Sequence, residues 1–244
     1  AKETDGKSYK SYKYCLEAIE VPKLLYDDKK SIKVRRKGET DKSLKASKSI
    51  FALAKRIKQT GSPLFKYFLD GSRRTYKVDD IAYDKKLYPV IAGQIGVAVC
   101  VRKNPYSFKP YLLRNPLVIS LPNRANAITS NDDLFFNNLT AKLNKQRFII
   151  KHGVLFNKIL PYDDSPLKGN DKYEDKGVAQ IHVEMTELEK KVVSDLVKDK
   201  KLNQNSYLMK DGSLEYMKSG QLKELSTIKT NYTCVVGVSK SFNP

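Results

Sequence analysis

Cysteine and histidine are scarce in this chain. Cys15, Cys100 and Cys234 lie far apart and none belongs to a Cys-x-x-Cys pair, which argues against a disulfide framework and a structural zinc site. The two histidines, His152 and His182, are too few for a multi-histidine metal centre. Any metal site must therefore be built mainly from carboxylates. No stretch approaches the roughly 18 consecutive apolar residues of a membrane span, and no signal-peptide pattern opens the chain. The expectation is a cytoplasmic protein with no membrane partner. Walker motifs are missing too: Gly93 and Gly96 fall inside a strand pattern with no Gly-Lys-Ser/Thr behind them, so ATP-driven movement would have to come from another chain. Acidic residues are outnumbered, 27 Asp and Glu against 46 Lys and Arg, for a formal charge of +19. Such an excess implies a polyanionic partner, most commonly nucleic acid, because phosphate neutralisation rewards dispersed Lys and Arg. Nothing resembles a helix-turn-helix or a zinc finger, so the basic surface is expected to bind without reading sequence.

What the chain does contain is one short pattern written twice. Leu64 to Leu69 is an apolar run that ends in Asp70-Gly71-Ser72, and Tyr207 to Lys210 leads into Asp211-Gly212-Ser213. Asp-Gly is a common turn dipeptide. Its repetition after two strand-like runs predicts more: each strand ends in a carboxylate, the following Gly lets the backbone turn away, and two such strands side by side would offer oxygen ligands to a hard divalent cation.

At 244 residues the chain can bury one substantial core. Residues 1–42 read as a basic N-terminal arm in which Lys7, Tyr9, Lys10, Tyr12, Lys13 and Tyr14 interleave cations with aromatic rings, and 43–244 read as the domain proper. Within it, Ser43 to Gln59 has the spacing of a basic helix, and Leu64 to Asp70 is the first strand. Arg73 to Asp80 reads as a polar loop. Tyr88 to Arg102 and Tyr111 to Leu121 follow as strands, then a helix from Asn131 to Gln146 and a β segment from Arg147 to Leu160. Residues 161–176 read as loop. Val178 to Lys198 has the strongest helical pattern in the chain, with Ile181, Met185, Leu188, Val192 and Leu196 on one face. Tyr207 to Leu214 is the second acidic strand, Gly220 to Lys229 a short helix and Tyr232 to Val238 a last strand. This order fits a mixed α/β sheet of ribonuclease H type, where carboxylates come from the first strand, a helix and a later strand, and it fits other α/β folds as well.

A third carboxylate belongs on the long helix, where Glu184, Glu187 and Glu189 are available. Glu184 shares a face with Leu188 and Val192, which directs it toward the sheet. Glu187 shares one with Lys190, Lys191 and Ser194, and Glu187 and Glu189 both suit ordinary surface Glu-Lys pairs.

Taken in order, Phe68-Leu69-Asp70-Gly71-Ser72-Arg73, Glu184 on a helix, Leu208-Met209-Lys210-Asp211-Gly212-Ser213-Leu214 and Val235-Val236-Gly237-Val238-Ser239-Lys240 resemble the NurA nuclease family over roughly residues 64–241. The resemblance implies a ribonuclease H-like fold and a manganese- or magnesium-dependent DNA nuclease. Asp70, Glu184 and Asp211 would be its catalytic metal ligands, with Glu187 the alternate to Glu184. It also implies a homodimer that works with a HerA-type ATPase hexamer in DNA repair or antiviral defence. Lys240 would stabilise developing charge on the phosphate, and Arg73 and Arg74 would join it in holding DNA. The family domain runs on past the Ser-Lys strand, so its C-terminal part is expected to be missing here. The alternative is a non-catalytic nucleic-acid-binding or assembly subunit that keeps the nuclease fold.

Overall fold

The computed structural model describes residues 2–16, 63–104, 106–126, 131–167, 169, 171–212, 214 and 231–238. The basic helix expected at Ser43 to Gln59, the short helix expected at Gly220 to Lys229, and Lys240 lie outside these residues. The described strands are β1 (Lys7–Cys15), β2 (Phe65–Tyr83), β3 (Lys86–Asn104), β4 (Ser107–Arg114), β5 (Leu117–Pro122), β6 (Phe156–Tyr162), β7 (Tyr207–Asp211) and β8 (Val235–Val238). The helices are α1 (Asp132–Asn144), α2 (Arg147–Lys151) and α3 (Tyr173–Lys198). All eight strands form one mixed sheet in the order β6-β5-β3-β2-β7-β8, with β1 also pairing with β2 and β4 with β3. Among the described residues no helix is long and apolar enough to cross a membrane.

Two compact units divide the chain, and β2, β3, β4 and α3 contribute residues to both. One takes Ala1–Leu24, Gly71–Ala98 and Leu113–Val192, and the other Leu25–Asp70, Val99–Leu112 and Val193–Pro244. In the first, Ile81, Tyr83, Tyr88, Leu121, Ala125, Phe136 and Ile159 make a buried cluster. There α1 is capped by the Asn131 side chain, which accepts from Leu134 N at 3.0 Å, and its Asp132 and Asp133 favour the positive end of the helix dipole. In the second unit β7 lies parallel to β2, and β8 parallel to β7.

Four sequence expectations change. The first acidic strand does not turn at Gly71: β2 runs on through Arg73 to Asp80, the stretch expected to loop out. Its polar residues alternate in burial, and β1 supplies an antiparallel partner from Lys7↔Ala82 to Cys15↔Tyr76. Part of the N-terminal arm is thus a strand. Tyr111 to Leu121 is two strands, because Asn115-Pro116 interrupts the ladder where proline has no N–H to give. The segment from Arg147 starts as helix α2, with no residue buried, and becomes strand only at Phe156. Its β-branched residues have no sheet neighbour to pack on there, and β-propensity is a property of that packing.

The close approach expected for the small residues of β3 holds at Gly93. A Cβ there would lie 2.7 Å from Ile181 Cγ2 and 3.0 Å from Val118 Cγ2. Gly93→Ala is expected to cost about 1–3 kcal/mol through overpacking, seen as a lower denaturation midpoint at unchanged slope. An unchanged midpoint would mean that α3 does not depend on this contact.

Candidate metal centre

Asp70 and Asp211 stand at matched positions on neighbouring strands. The parallel register of β2 and β7 pairs Phe68 with Met209 and Leu69 with Lys210, so the next step along both strands sets Asp70 beside Asp211. Side chains alternate across a sheet, and this decides which face each uses. Leu69 and Lys210 are buried on one face. Asp70 and Asp211 therefore share the other, Asp70 exposed and Asp211 half-buried. Backbones of neighbouring strands are roughly 4.8 Å apart, close enough for two carboxylates to reach one cation.

The second corner is the one that turns. Gly212 has φ +85°, a left-handed conformation that glycine adopts without strain, and its N–H donates to Val238 O at 2.8 Å. On β8, Gly237 makes room for the turn: a Cβ there would meet Gly212 O and Leu214 Cγ, each at 2.8 Å. Lys210, between Met209 and Asp211, is buried and donates from Nζ to the Asp211 carbonyl at 2.8 Å. That bond ties the end of β7 to the corner that carries its carboxylate.

Gly71 serves a different purpose. It sits within β2, and the space a Cβ would take is filled by the Glu189 carboxylate. Glu189 is only 5 % exposed. Sequence reasoning set it aside as a surface residue, although a signal was present: Glu189 lies four residues after Met185 and three before Val192, inside the buried stripe of α3. Glu184 instead receives a 2.9 Å hydrogen bond from Lys158 Nζ and keeps 29 % of its side chain exposed. Glu187, more exposed still, is held by Lys190 at 2.6 Å.

Arg73 is half-buried on the same face of β2 as Gly71, with Nη1 3.5 Å from His182 Nδ1 on α3. Arg74 is exposed on the opposite face. Among the described residues, no group of three or more His, Cys, Asp and Glu side chains is gathered closely enough to hold a metal ion. What the strand register does bring side by side is the Asp70 and Asp211 pair. It suits a magnesium-like cation, which is commonly held by one or two carboxylates and fills its other positions with water and substrate phosphate. No protein-family model matches the chain, and no curated protein matches it.

Proposed function

We propose that the chain is a metal-dependent deoxyribonuclease that hydrolyses phosphodiester bonds at Asp70 and Asp211. The observation that carries this reading is the register that sets the two aspartates side by side on one face of parallel strands, Asp211 at the end of β7 and Asp70 within β2. Strand order supports it as well. Three neighbouring strands joined in antiparallel fashion, β5-β3-β2, continue into the parallel strands β7 and β8, the arrangement expected of a ribonuclease H-like sheet.

Asp70 and Asp211 would bind Mn2+ or Mg2+ through their oxygens. Such an ion, when bound, polarises the phosphoryl group and lowers the pKa of a water. The protein's own contribution is to hold both carboxylates in place: β2 and β7 fix their separation, and the glycine corner at Gly212 and the Lys210 bond hold Asp211 at the strand end. The excess of Lys and Arg attracts the polyanionic substrate whatever its sequence.

Cleavage of end-labelled linear DNA in Mn2+ tests the proposal. Cleavage by the parent chain that Asp211→Asn abolishes is the expected outcome, and an inert parent with every divalent cation would contradict it. We also propose, from the family resemblance, a homodimer that docks on a HerA-type ATPase hexamer. Apolar arm residues such as Val21, Leu24 and Leu25 would anchor contacts that persist in salt. Light scattering after size-exclusion chromatography at high salt is expected to give the dimer mass. A monomer would refute that half.

A further inference from the structure

The unit that contains Asp70 and Asp211 also carries an aromatic cluster on the same strand. Phe68 precedes Asp70 by two residues on β2, so both project from one face, roughly 7 Å apart. The Phe68 ring meets that of Phe108 on β4 edge to face, with centroids 5.0 Å apart and planes at 75°. The Arg102 guanidinium, from β3, lies 5.0 Å from the Phe68 centroid and 4.9 Å from that of Phe108. Phe108 nevertheless stays 48 % exposed, and Tyr106 at the hairpin tip is 96 % exposed. The tip is a built turn, since Tyr106 N–H donates to the Asn104 side chain at 3.0 Å.

The charge at this hairpin has no internal answer. Residues 99–112 contain Arg102, Lys103 and Lys109 and no Asp or Glu. Arg102 Nε is buried yet has no hydrogen-bond partner among the described residues. A cation set between two rings, with no carboxylate paired to it among the described residues, suits an anion brought by a ligand. Exposed rings beside it suit a flat π-face. One ligand offers both at a repeating interval, and it is single-stranded nucleic acid. Duplex DNA fits less well, because its bases are already stacked on one another.

We propose that Phe108, supported by Phe68 and Arg102, is a base-stacking platform that receives single-stranded DNA next to Asp70 and Asp211. The choice of DNA rests on the nuclease reading above; the stacking platform does not. Under this proposal the enzyme works on an unpaired end: a base stacks on Phe108, Arg102 holds a backbone phosphate, and the neighbouring phosphate lies toward the aspartates.

Fluorescence anisotropy in EDTA, where no metal is bound, separates the platform from catalysis. The probes are a labelled 12-nucleotide oligothymidine and an abasic strand of equal length and charge. The parent chain is expected to bind the oligothymidine roughly 5- to 100-fold more tightly, the range that stacking of one base gives. Phe108→Leu, which keeps an apolar side chain but removes the ring, should erase that preference, and Phe108→Tyr should retain it. Equal binding of the two strands by the parent, or a preference intact in Phe108→Leu, would overturn the proposal. Base preference without cleavage in Mn2+ would uphold the platform and refute the nuclease. Cleavage without base preference would do the reverse. Tighter binding of oligouridine than of oligothymidine would overturn the assignment to DNA.

Discussion

Asp70→Ala is expected to lower Mn2+-dependent DNA cleavage by roughly three orders of magnitude, because a bound divalent cation stabilises transition-state charge by several kcal/mol and each 1.4 kcal/mol is a tenfold change in rate. Stability should hardly change. Asp70 is exposed at a strand position, and its removal opens no cavity in the core. Nor should DNA affinity in EDTA fall, since the lost group is an anion facing a polyanion. Single-turnover cleavage rates, with circular dichroism as the check on folding, measure the first two claims. Retained cleavage in a folded Asp70→Ala protein would show that this carboxylate does not serve the chemistry.

The largest expected loss of stability lies elsewhere, in the unit that holds β1. Lys77 is buried in β2, and its Nζ is 2.9 Å from both Asp80 Oδ1 and Glu174 Oε1. The ammonium also lies 4.7 Å from the Tyr12 ring centroid, and the Tyr12 hydroxyl donates to Asp80 Oδ2 at 2.7 Å. This one group therefore joins β1, β2 and the start of α3. Burial acts against its charge, but the hydrogen bonds and charges of Glu174 and Asp80 outweigh burial and raise its pKa above the ordinary lysine value. Lys77→Met leaves two carboxylates without their cation and is expected to cost about 3–5 kcal/mol, a large share of the roughly 5–15 kcal/mol that holds a domain together.

The pH dependence has a definite sign. A raised folded-state pKa means that the ion pair's contribution is fully present below the unfolded lysine value, about 10.4, and is lost as pH climbs through the folded value. The gap between parent and variant should thus be constant across neutral pH and narrow only above roughly pH 10. Urea denaturation at pH 7 and pH 10.5 measures it. A variant as stable as its parent at pH 7 would contradict the account of this cluster.

Elements whose pattern is local were legible in the sequence. The long β3, the stripe of α3 and the corner at Asp211-Gly212 were all read from spacing and glycine alone. What stayed hidden depends on distant partners. The polar run from Arg73 to Asp80 looks like loop until Glu174, 97 residues from Lys77, is seen to neutralise a buried cation, and until β1 supplies the missing ladder. Gly71 and Gly212 follow aspartates in identical Asp-Gly-Ser contexts, yet only Gly212 has a positive φ. Gly71 is accounted for by Glu189 packing over it, a contact that no local rule contains. Glu189 itself was misplaced because a Glu followed by two lysines suggests a surface pair, while its interval from Met185 and Val192 marks the buried face.

The pairing of Asp70 with Asp211 is the centre of the functional account, and anomalous scattering from crystals soaked in Mn2+ tests it most directly. The account predicts a manganese peak within roughly 2.0–2.6 Å of a carboxylate oxygen from each aspartate, lost in crystals of Asp70→Asn. A folded parent protein whose only manganese lies away from both aspartates, or that binds none in the presence of DNA, would contradict it.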